Sequence, residues 1–467
     1  MKTDFIFRSP SSSRLILIFA GWSTGPELYS GIHRKGWDVA VCHGYGDFLI
    51  PEGILGPYET VIVYAWSFGV FAAMRALRGK RVTSAYALNG TGCPVDAERG
   101  IDPAIFKGTL EGLSLLSLTK FRRRMAGSAA GMGNLGKHLD PAPDIEVLRS
   151  ELAAIEKEYI NVRKEEIDDT LPWRRVFIST DDRIIPYESQ LRFWKQHPSA
   201  PEIVTLPGAH YFPLQDVVNA TLPAPEKVGR RFEAALDTYD SHARAQRVIA
   251  ARLAGLIPGE ARREGDILEI GAGCGMLTQM YAPLLRPASA TFVDLYTPRA
   301  PFDIAERETY VSMDAEQWMD SAPAEAYDVI LSASTIQWFT DPERFLSNAY
   351  RALRPGGFLA VSTFVEGNLH ELDAARPSPL PYLKASGFEE MAARIFGPDN
   401  TETLSEEVRL TFATPREALL HLKLTGVGGS ASGTPAIRNL LRALTPENAG
   451  ASPALTFRPL YLVARKL

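Results

Sequence analysis

Three residues far apart in the chain, Ser67, Asp182 and His210, have the types and the order needed for nucleophilic hydrolysis. Ser67 lies in Val61-Ile62-Val63-Tyr64-Ala65-Trp66-Ser67-Phe68-Gly69-Val70, an apolar run that ends in a small-x-Ser-x-Gly turn. A serine on a sharp strand-to-helix turn holds its hydroxyl above the sheet, and a glycine two residues later lets the helix approach. Ala65 stands where such turns usually carry their first glycine. Asp182 follows the strand-like run 176–178 and precedes Pro186 by four residues, and His210 sits in Pro207-Gly208-Ala209-His210-Tyr211-Phe212-Pro213. In that order Ser67 would attack an acyl carbon, His210 would take and return its proton, and Asp182 would orient the ring. Asp181 is the rival acid. The backbone N–H of Phe68 and one from the Ala20-Gly21-Trp22 loop, taken as Trp22, would stabilise the oxyanion.

A second constellation suits a nucleotide cofactor. Glu269-Ile270-Gly271-Ala272-Gly273-Cys274-Gly275 joins an apolar strand to a helix, and its glycines allow close backbone approach. The acidic residue ahead of the glycines favours S-adenosylmethionine over a dinucleotide. Asp294 lies about 20 residues on, where a carboxylate accepts bonds from ribose hydroxyls. Asp314 and Ala315 follow the next short strand, in the usual place for adenine contacts. The expected cofactor residues are therefore Glu269, Gly271, Gly273, Gly275, Asp294, Asp314 and Ala315. Methyl transfer to a carboxylate needs positioning more than a base. Gln337 and Trp338 are candidate positioners, and Lys423 or Arg354 are candidate cations for a substrate carboxylate.

The elements that must position these groups read as strands alternating with helices. Runs at 15–19, 61–65, 84–88, 176–178, 267–270, 291–293, 329–333 and 358–363 are β-like, which predicts α/β architecture with largely parallel sheets. Thr221-Leu222-Pro223-Ala224-Pro225-Glu226 carries two prolines and reads as an extended linker, dividing the chain into 1–222 and 223–467. From Phe232 to Leu256 the pattern predicts one long amphipathic helix. With 467 residues, two domains are the natural expectation. A net charge of −5 argues against a nucleic-acid-coating surface. Cys42, Cys93 and Cys274 offer no metal spacing and no disulfide framework. No secretory signal is apparent, and no apolar run approaches the ~20 residues that span a bilayer. These features suggest a cytoplasmic enzyme without a metal or membrane partner, and leave oligomeric state open.

The Ser-Asp-His order is that of α/β-hydrolases. Over about residues 3–220 the chain resembles the short pimeloyl-[acyl-carrier protein] methyl ester esterases of biotin synthesis. The resemblance rests on Phe19-Ala20-Gly21-Trp22, Ala65-Trp66-Ser67-Phe68-Gly69-Val70, Asn89-Gly90-Thr91 with Pro94, Gly100-Ile101 and Gly208-Ala209-His210-Tyr211-Phe212-Pro213. It implies that Lys120-Phe121-Arg122-Arg123-Arg124-Met125 lies in a lid, where Arg122, Arg123 and Arg124 would meet an acidic carrier protein. The 113–118 region of that lid would discriminate chain length.

The second half resembles the malonyl-[acyl-carrier protein] O-methyltransferases over about residues 228–467, within a class I Rossmann-like fold. The residues that carry this are Phe232, Ala235, Tyr239-Asp240, Ala243 and Gln246; Ser334-Thr335-Ile336-Gln337-Trp338-Phe339; and Ser362-Thr363-Phe364 with Asn368-Leu369-His370-Glu371-Leu372. His421-Leu422-Lys423-Leu424-Thr425-Gly426-Val427 and Leu455-Thr456-Phe457-Arg458-Pro459-Leu460-Tyr461 also match, with Phe457 where tyrosine is commoner. The resemblance places Tyr239 near the cofactor mouth. Together the two halves imply one pathway. Methylating malonyl-acyl-carrier protein hides a charge that is costly in an apolar tunnel, and hydrolysing the pimeloyl-acyl-carrier protein methyl ester restores it after elongation. A pair acting on another carboxylic acid in secondary metabolism is the alternative.

Overall fold

Continuous apolar runs form the centre of each half, because parallel strands covered on both faces need no polar alternation. The computed structural model describes residues 1–163, 169–222, 224–259, 264–298, 300–373, 380, 382–426, 437–445 and 451–467. Pro223 and Val427, singled out above, lie outside the described residues. The chain divides into two compact units, Met1–Val218 and Asn219–Leu467.

The first unit contains β1 (Lys2–Phe7), β2 (Arg14–Phe19), β3 (Asp38–His43), β4 (Thr60–Trp66), β5 (Ser84–Leu88), β6 (Trp173–Ser179) and β7 (Glu202–Leu206). They form one sheet in the order β1-β3-β2-β4-β5-β6-β7. β1 pairs antiparallel with β3, and every other pairing is parallel. Each of the Leu15, Ile16, Leu17, Ile18 and Phe19 side chains of β2 is fully buried, which stabilises by roughly 1.5–3 kcal/mol apiece relative to exposure. Register brings Phe19 beside Ala65, Trp66 beside Leu88, Leu88 beside Phe177, and Ser179 beside Leu206. The loops leaving these strand ends therefore emerge along one edge, and they carry Trp22, Ser67, Asp182 and His210.

The second unit contains β8 (Asp266–Ile270), β9 (Ser289–Asp294), β10 (Arg307–Ser312), β11 (Tyr327–Ala333), β12 (Leu353–Phe364), β13 (Thr401–Ser405), β14 (Val408–Thr411), β15 (Ala454–Phe457) and β16 (Pro459–Arg465). Its main sheet runs β10-β9-β8-β11-β12-β16-β13, and β14 with β15 forms a separate ribbon. The first five strands of that order are parallel, and β16 is antiparallel to β12 and β13. Chain order reverses between β8 and β11. That is a topological switch point, where ligands bind outside the strands' C-terminal ends in this fold class.

The single helix expected from Phe232 to Leu256 is instead two, Pro225–His242 and Arg244–Leu256, broken at Ala243 with φ −74° and ψ 55°. Buried Ala243 sits at the bend, and the Arg247 guanidinium caps the first piece by donating to the Asp240 carbonyl at 2.8 Å. The break lets the two pieces serve different partners. The second buries Ile249, Ala250 and Leu253 in the core, while Tyr239 of the first packs at its margin with Cys274. The linker is also shorter than expected: a helix runs to Thr221 and Pro225 already opens the next, at the first-turn position that tolerates proline. Among the described residues no helix is long and apolar enough to cross a membrane.

Candidate active sites

Ser67 occupies the turn between β4 and the helix Phe68–Ala76 with φ 59° and ψ −127°, a conformation that L-residues adopt only under constraint. The constraint is visible. A Cβ at Gly69 would lie 2.3 Å from the Phe19 carbonyl oxygen, so only glycine lets the helix start this close to β2. Ala65, buried within β4, does not prevent the turn from forming.

The Ser67 hydroxyl lies 2.8 Å from His210 Nε2, and His210 Nδ1 lies 2.7 Å from Asp182 Oδ2. Asp182 can only accept at that contact, so Nδ1 carries the proton, Nε2 is the acceptor, and Ser67 Oγ donates to it. His210 is wholly buried and Asp182 nearly so. Asp182 Oδ1 accepts from the Ile184 and Ile185 N–H groups at 2.8 and 3.0 Å, and Oδ2 also accepts from Gln190 Nε2 at 2.9 Å. Asp181 points elsewhere: it is exposed, and its own N–H donates to the Gly208 carbonyl.

Two residues absent from the expected site hold the histidine. Asn89, at φ 42° after β5, donates from Nδ2 to the His210 carbonyl and to Ser179 Oγ, each at 2.8 Å. Its Oδ1 accepts from the Ser179 N–H at 2.7 Å. The Trp66 indole also donates to the His210 carbonyl, at 3.0 Å. Asn89 stands in the sequence as part of the Asn89-Gly90-Thr91 motif of the family resemblance, but its pattern of an asparagine at a strand end before glycine, shared with many plain turns, does not reveal this role. Gln190 gives less signal, being one polar residue on an amphipathic helix.

The Ala20-Gly21-Trp22 loop is pinned at several points. Tyr45 donates to the Ala20 carbonyl at 2.5 Å, the Gly21 N–H donates to Tyr29 at 3.3 Å, and the Trp22 indole donates to the Leu148 carbonyl at 3.1 Å. The backbone N–H groups of Trp22 and Phe68 have no partner among the described residues, as oxyanion donors require.

The basic cluster lies on the helix Leu115–Ala126, whose Met125 carbonyl accepts from the Tyr211 N–H at 2.8 Å. Arg123 and Arg124 are exposed, but Arg122 is not. Its guanidinium turns inward, donating to the Asp140 carbonyl at 2.7 Å and the Ser23 carbonyl at 3.4 Å. Arg122 therefore ties this helix to the loop beside Trp22 instead of joining the outward basic face. In the 113–118 region Leu113 and Leu118 are buried, while Leu115 and Leu116 face outward.

In the second unit Gly271, Gly273 and Gly275 all have positive φ, 72°, 56° and 80°. A Cβ on Gly271 would sit 2.0 Å from Thr335 Oγ1, so the loop lies tight against the segment after β11. At Gly273 a Cβ would meet only the Tyr296 hydroxyl, at 3.6 Å, leaving the backbone open to a ligand. Asp294, at the end of β9, accepts from the N–H groups of Gly273 and Leu295 at 2.8 and 2.6 Å. Burial pushes its carboxyl up to about 6 against those bonds. Asp314 caps the helix Ala315–Ser321, accepting from the Glu316 N–H at 2.9 Å, with Ala315 at that helix's first position. An open glycine backbone flanked by a carboxylate and a helix start fits a nucleoside.

Glu269 differs from expectation. It is buried within the sheet, and its Oε2 accepts from Thr278 and Tyr281 of the helix Met276–Leu285 at 2.7 and 2.8 Å. Burial pushes its carboxyl up to about 7. It fastens the helix behind the loop. Arg354 is likewise committed elsewhere, to Asp266 at 2.8 Å and Asp328 at 2.6 Å, near the start of β8 and β11 and thus at the opposite end from the loop. Lys423 is exposed on the helix Pro415–Leu424.

An aromatic row borders the loop. Tyr239 lies 6.2 Å from the Phe232 ring, and Phe232 lies 5.8 Å, edge-on, from Trp338. Burial, with Cys274 and Asp294 nearby, raises the Tyr239 phenol well above its usual range. Gln337 Nε2 donates to the Ser334 carbonyl at 2.5 Å, leaving its buried Oε1 without a partner among the described residues. Phe339 packs on Phe345 at 5.1 Å, partly buried against the core. Arg231, which the sequence did not single out, lies with its guanidinium carbon 5.9 Å from the Trp338 ring centre.

Comparison with known proteins aligns with this division. A family model described as "Pimeloyl-ACP methyl esterase BioG" matches residues 1–214, and one described as "Methyltransferase domain" matches 268–359. A malonyl-[acyl-carrier protein] O-methyltransferase of Bacteroides fragilis is 31% identical over 475 residues, spanning 98% of this chain and 94% of its own. One from Porphyromonas gingivalis is 31% identical over 253 residues, 51% of this chain and 95% of its own. The crystal structure of BioG from Haemophilus influenzae shares 32% identity over 45% of this chain and 94% of its own, with a TM-score of 0.41.

Proposed function

The chain belongs to the malonyl-[acyl-carrier protein] O-methyltransferase family, in a form that carries an esterase unit ahead of the methyltransferase, and from that premise we propose how its residues divide the work. The protein acts in biotin synthesis, with S-adenosylmethionine as cofactor and acyl-carrier-protein thioesters as substrates. Its two domains, an α/β-hydrolase followed by a Rossmann-like methyltransferase, meet four residues earlier than the expected 222/223 division, between Val218 and Asn219.

In the first domain Ser67 Oγ attacks the methyl ester carbonyl of pimeloyl-acyl-carrier protein while its proton passes to His210 Nε2. The Asp182 carboxylate steadies the imidazolium through Nδ1–H. The tetrahedral oxygen sits against the Phe68 and Trp22 N–H groups, each such donor contributing on the order of 10²–10³ in rate. Collapse expels methanol, which takes the proton from His210. Water then repeats the sequence on the acyl-enzyme and frees the acid. Arg123 and Arg124 steer the acidic carrier protein, a role that suits exposed charges better than buried ones.

In the second domain the glycine loop, Asp294, Asp314 and Ala315 hold the cofactor, and Glu269 keeps the helix behind the loop in place. When bound, S-adenosylmethionine supplies a sulfonium methyl: the carboxylate oxygen's lone pair forms the new O–C bond as the C–S pair returns to sulfur. No general base is needed. Tyr239 and Gln337 align the malonyl group at the mouth, where the unpartnered Gln337 Oε1 can accept from a pantetheine amide.

The observation that carries this reading is the Ser67–His210–Asp182 chain of contacts at 2.8 and 2.7 Å inside the segment matched to the esterase family. The test is to assay the full chain on both substrates. Ser67→Ala should abolish ester hydrolysis and spare methyl transfer, and Gly273→Val should do the reverse. Loss of both activities from either change refutes the two-site reading. Methylation of small free acids in preference to malonyl-carrier protein refutes the substrate.

A further inference from the structure

Malonyl-carrier protein brings a free carboxylate to the methyltransferase unit, and the two cations foreseen for it do not serve. Arg354 is neutralised by two carboxylates at the far end of the strands, and Lys423 stands in solvent. We infer that Arg231 binds the malonyl carboxylate, holding one of its oxygens so that the other is free to accept the methyl group.

Three observations carry the assignment, which rests on the malonyl reading above. Arg231 belongs to the same helix as Phe232 and Tyr239, just over two turns ahead of Tyr239, and its side chain lies toward Trp338 in the segment after β11. That segment packs against the glycine loop through Thr335. The guanidinium is also incompletely used: Nε donates to the Lys227 carbonyl at 3.3 Å, and Nη1 is buried with no partner among the described residues. Finally, burial lowers the guanidinium's pKa, with no carboxylate among the described residues acting against it. A half-buried cation without a counter-ion is costly, and an arriving carboxylate offsets that cost. The planar fork, set beside an indole, also suits a carboxylate better than an ammonium would.

The chemistry fixes which kinetic constant should respond. As the new O–C bond forms, the carboxylate loses its negative charge, so its attraction to Arg231 fades toward the transition state. Arg231 therefore favours the bound ground state at least as much as the transition state, and its loss should appear mainly in KM. Arg231→Gln in the full chain should raise KM for malonyl-carrier protein about 10- to 100-fold, the range for a charge-assisted hydrogen bond, and change kcat less than about threefold.

The decisive readout is binding with S-adenosylhomocysteine in place. Wild type should hold malonyl-carrier protein more tightly than acetyl-carrier protein, which lacks the carboxylate. Arg231→Gln should erase that preference by weakening malonyl alone, and Arg231→Lys should recover part of it. An unchanged preference in Arg231→Gln overturns the assignment, as does equal weakening toward both carriers. If Arg231→Gln no longer binds S-adenosylhomocysteine, Arg231→Lys decides by the same comparison: a preference between that of wild type and none supports the assignment, and any other result overturns it. A wild-type protein that methylates a different acid and not malonyl-carrier protein overturns the proposed substrate instead.

Discussion

Asp182→Asn should disable the esterase through a single forced proton. The Asp182 Oδ1 accepts from two backbone N–H groups at 2.8 and 3.0 Å. An asparagine must keep its carbonyl oxygen there, because the reversed amide would set NH₂ against both N–H groups. Its nitrogen then faces His210 Nδ1, 2.7 Å away in the native contact, and Gln190 Nε2 at 2.9 Å. Two donors cannot face one another, so the imidazole must move its proton to Nε2, and Ser67 loses its acceptor. The loss should be roughly 10⁴-fold in kcat, or about 5 kcal/mol of barrier. Methanol release from pimeloyl-carrier protein methyl ester measures it, and methyl transfer by the same preparation checks that the protein is intact. Asp181→Asn, at an exposed site outside the hydrogen-bond chain, should stay within about twofold of wild type. A loss under about tenfold for Asp182→Asn, or an equal loss for Asp181→Asn, would refute the reasoning.

Asn89→Ala removes three buried hydrogen bonds and puts alanine at φ 42°; urea unfolding of the esterase unit should show a loss of about 3–5 kcal/mol. Asp294→Ala should weaken S-adenosylhomocysteine binding by about 10- to 100-fold in calorimetry while leaving ester hydrolysis unchanged. His421 is pushed down from 6.5 to about 4 by burial, with Arg244 and His242 acting in the same direction. It stays neutral when folded and gains a proton below 6.5 when unfolded, so its contribution is full above that pH and lost as pH falls toward 4. The loss is at most about 3 kcal/mol, reduced by solvent screening. Chemical unfolding of the methyltransferase unit at pH 7 and pH 4.5 should show part of this slope, and His421→Leu should flatten it.

What could be read from the sequence, and what could not, follows from where each signal originates. All eight β-like runs lie within strands, because a parallel strand covered on both faces writes its burial as an unbroken apolar run. The edge strands β10 and β13 mix exposed and half-buried residues, with none fully buried, and left no such trace. The triad was legible because a strand-end serine, acid and histidine keep a characteristic order. The roles of its supports were not: Asn89 was visible only as part of a motif, and it works through a left-handed backbone and a carbonyl more than a hundred residues away. The bend at Ala243 was hidden by good helix formers, since its cause is packing against two partners. Arg122 and Arg354 read as free charges because nothing local announces the carbonyl or carboxylate that claims them, and Arg231 went unnoticed because what marks it is a missing partner.

The position of β16 bears on how this protein is born. The esterase sheet is complete once Leu206 has left the ribosome, so that unit can fold while the rest is still being made. The methyltransferase sheet has to wait. Phe358 pairs with Arg465, and β13 reaches the sheet only through β16. Until Pro459–Arg465 emerges, β12 presents a bare, apolar edge to any neighbouring chain. A truncation that removes β16 should thus yield a soluble, active esterase joined to a sticky half-sheet, and stalled synthesis should place the same demand on chaperones.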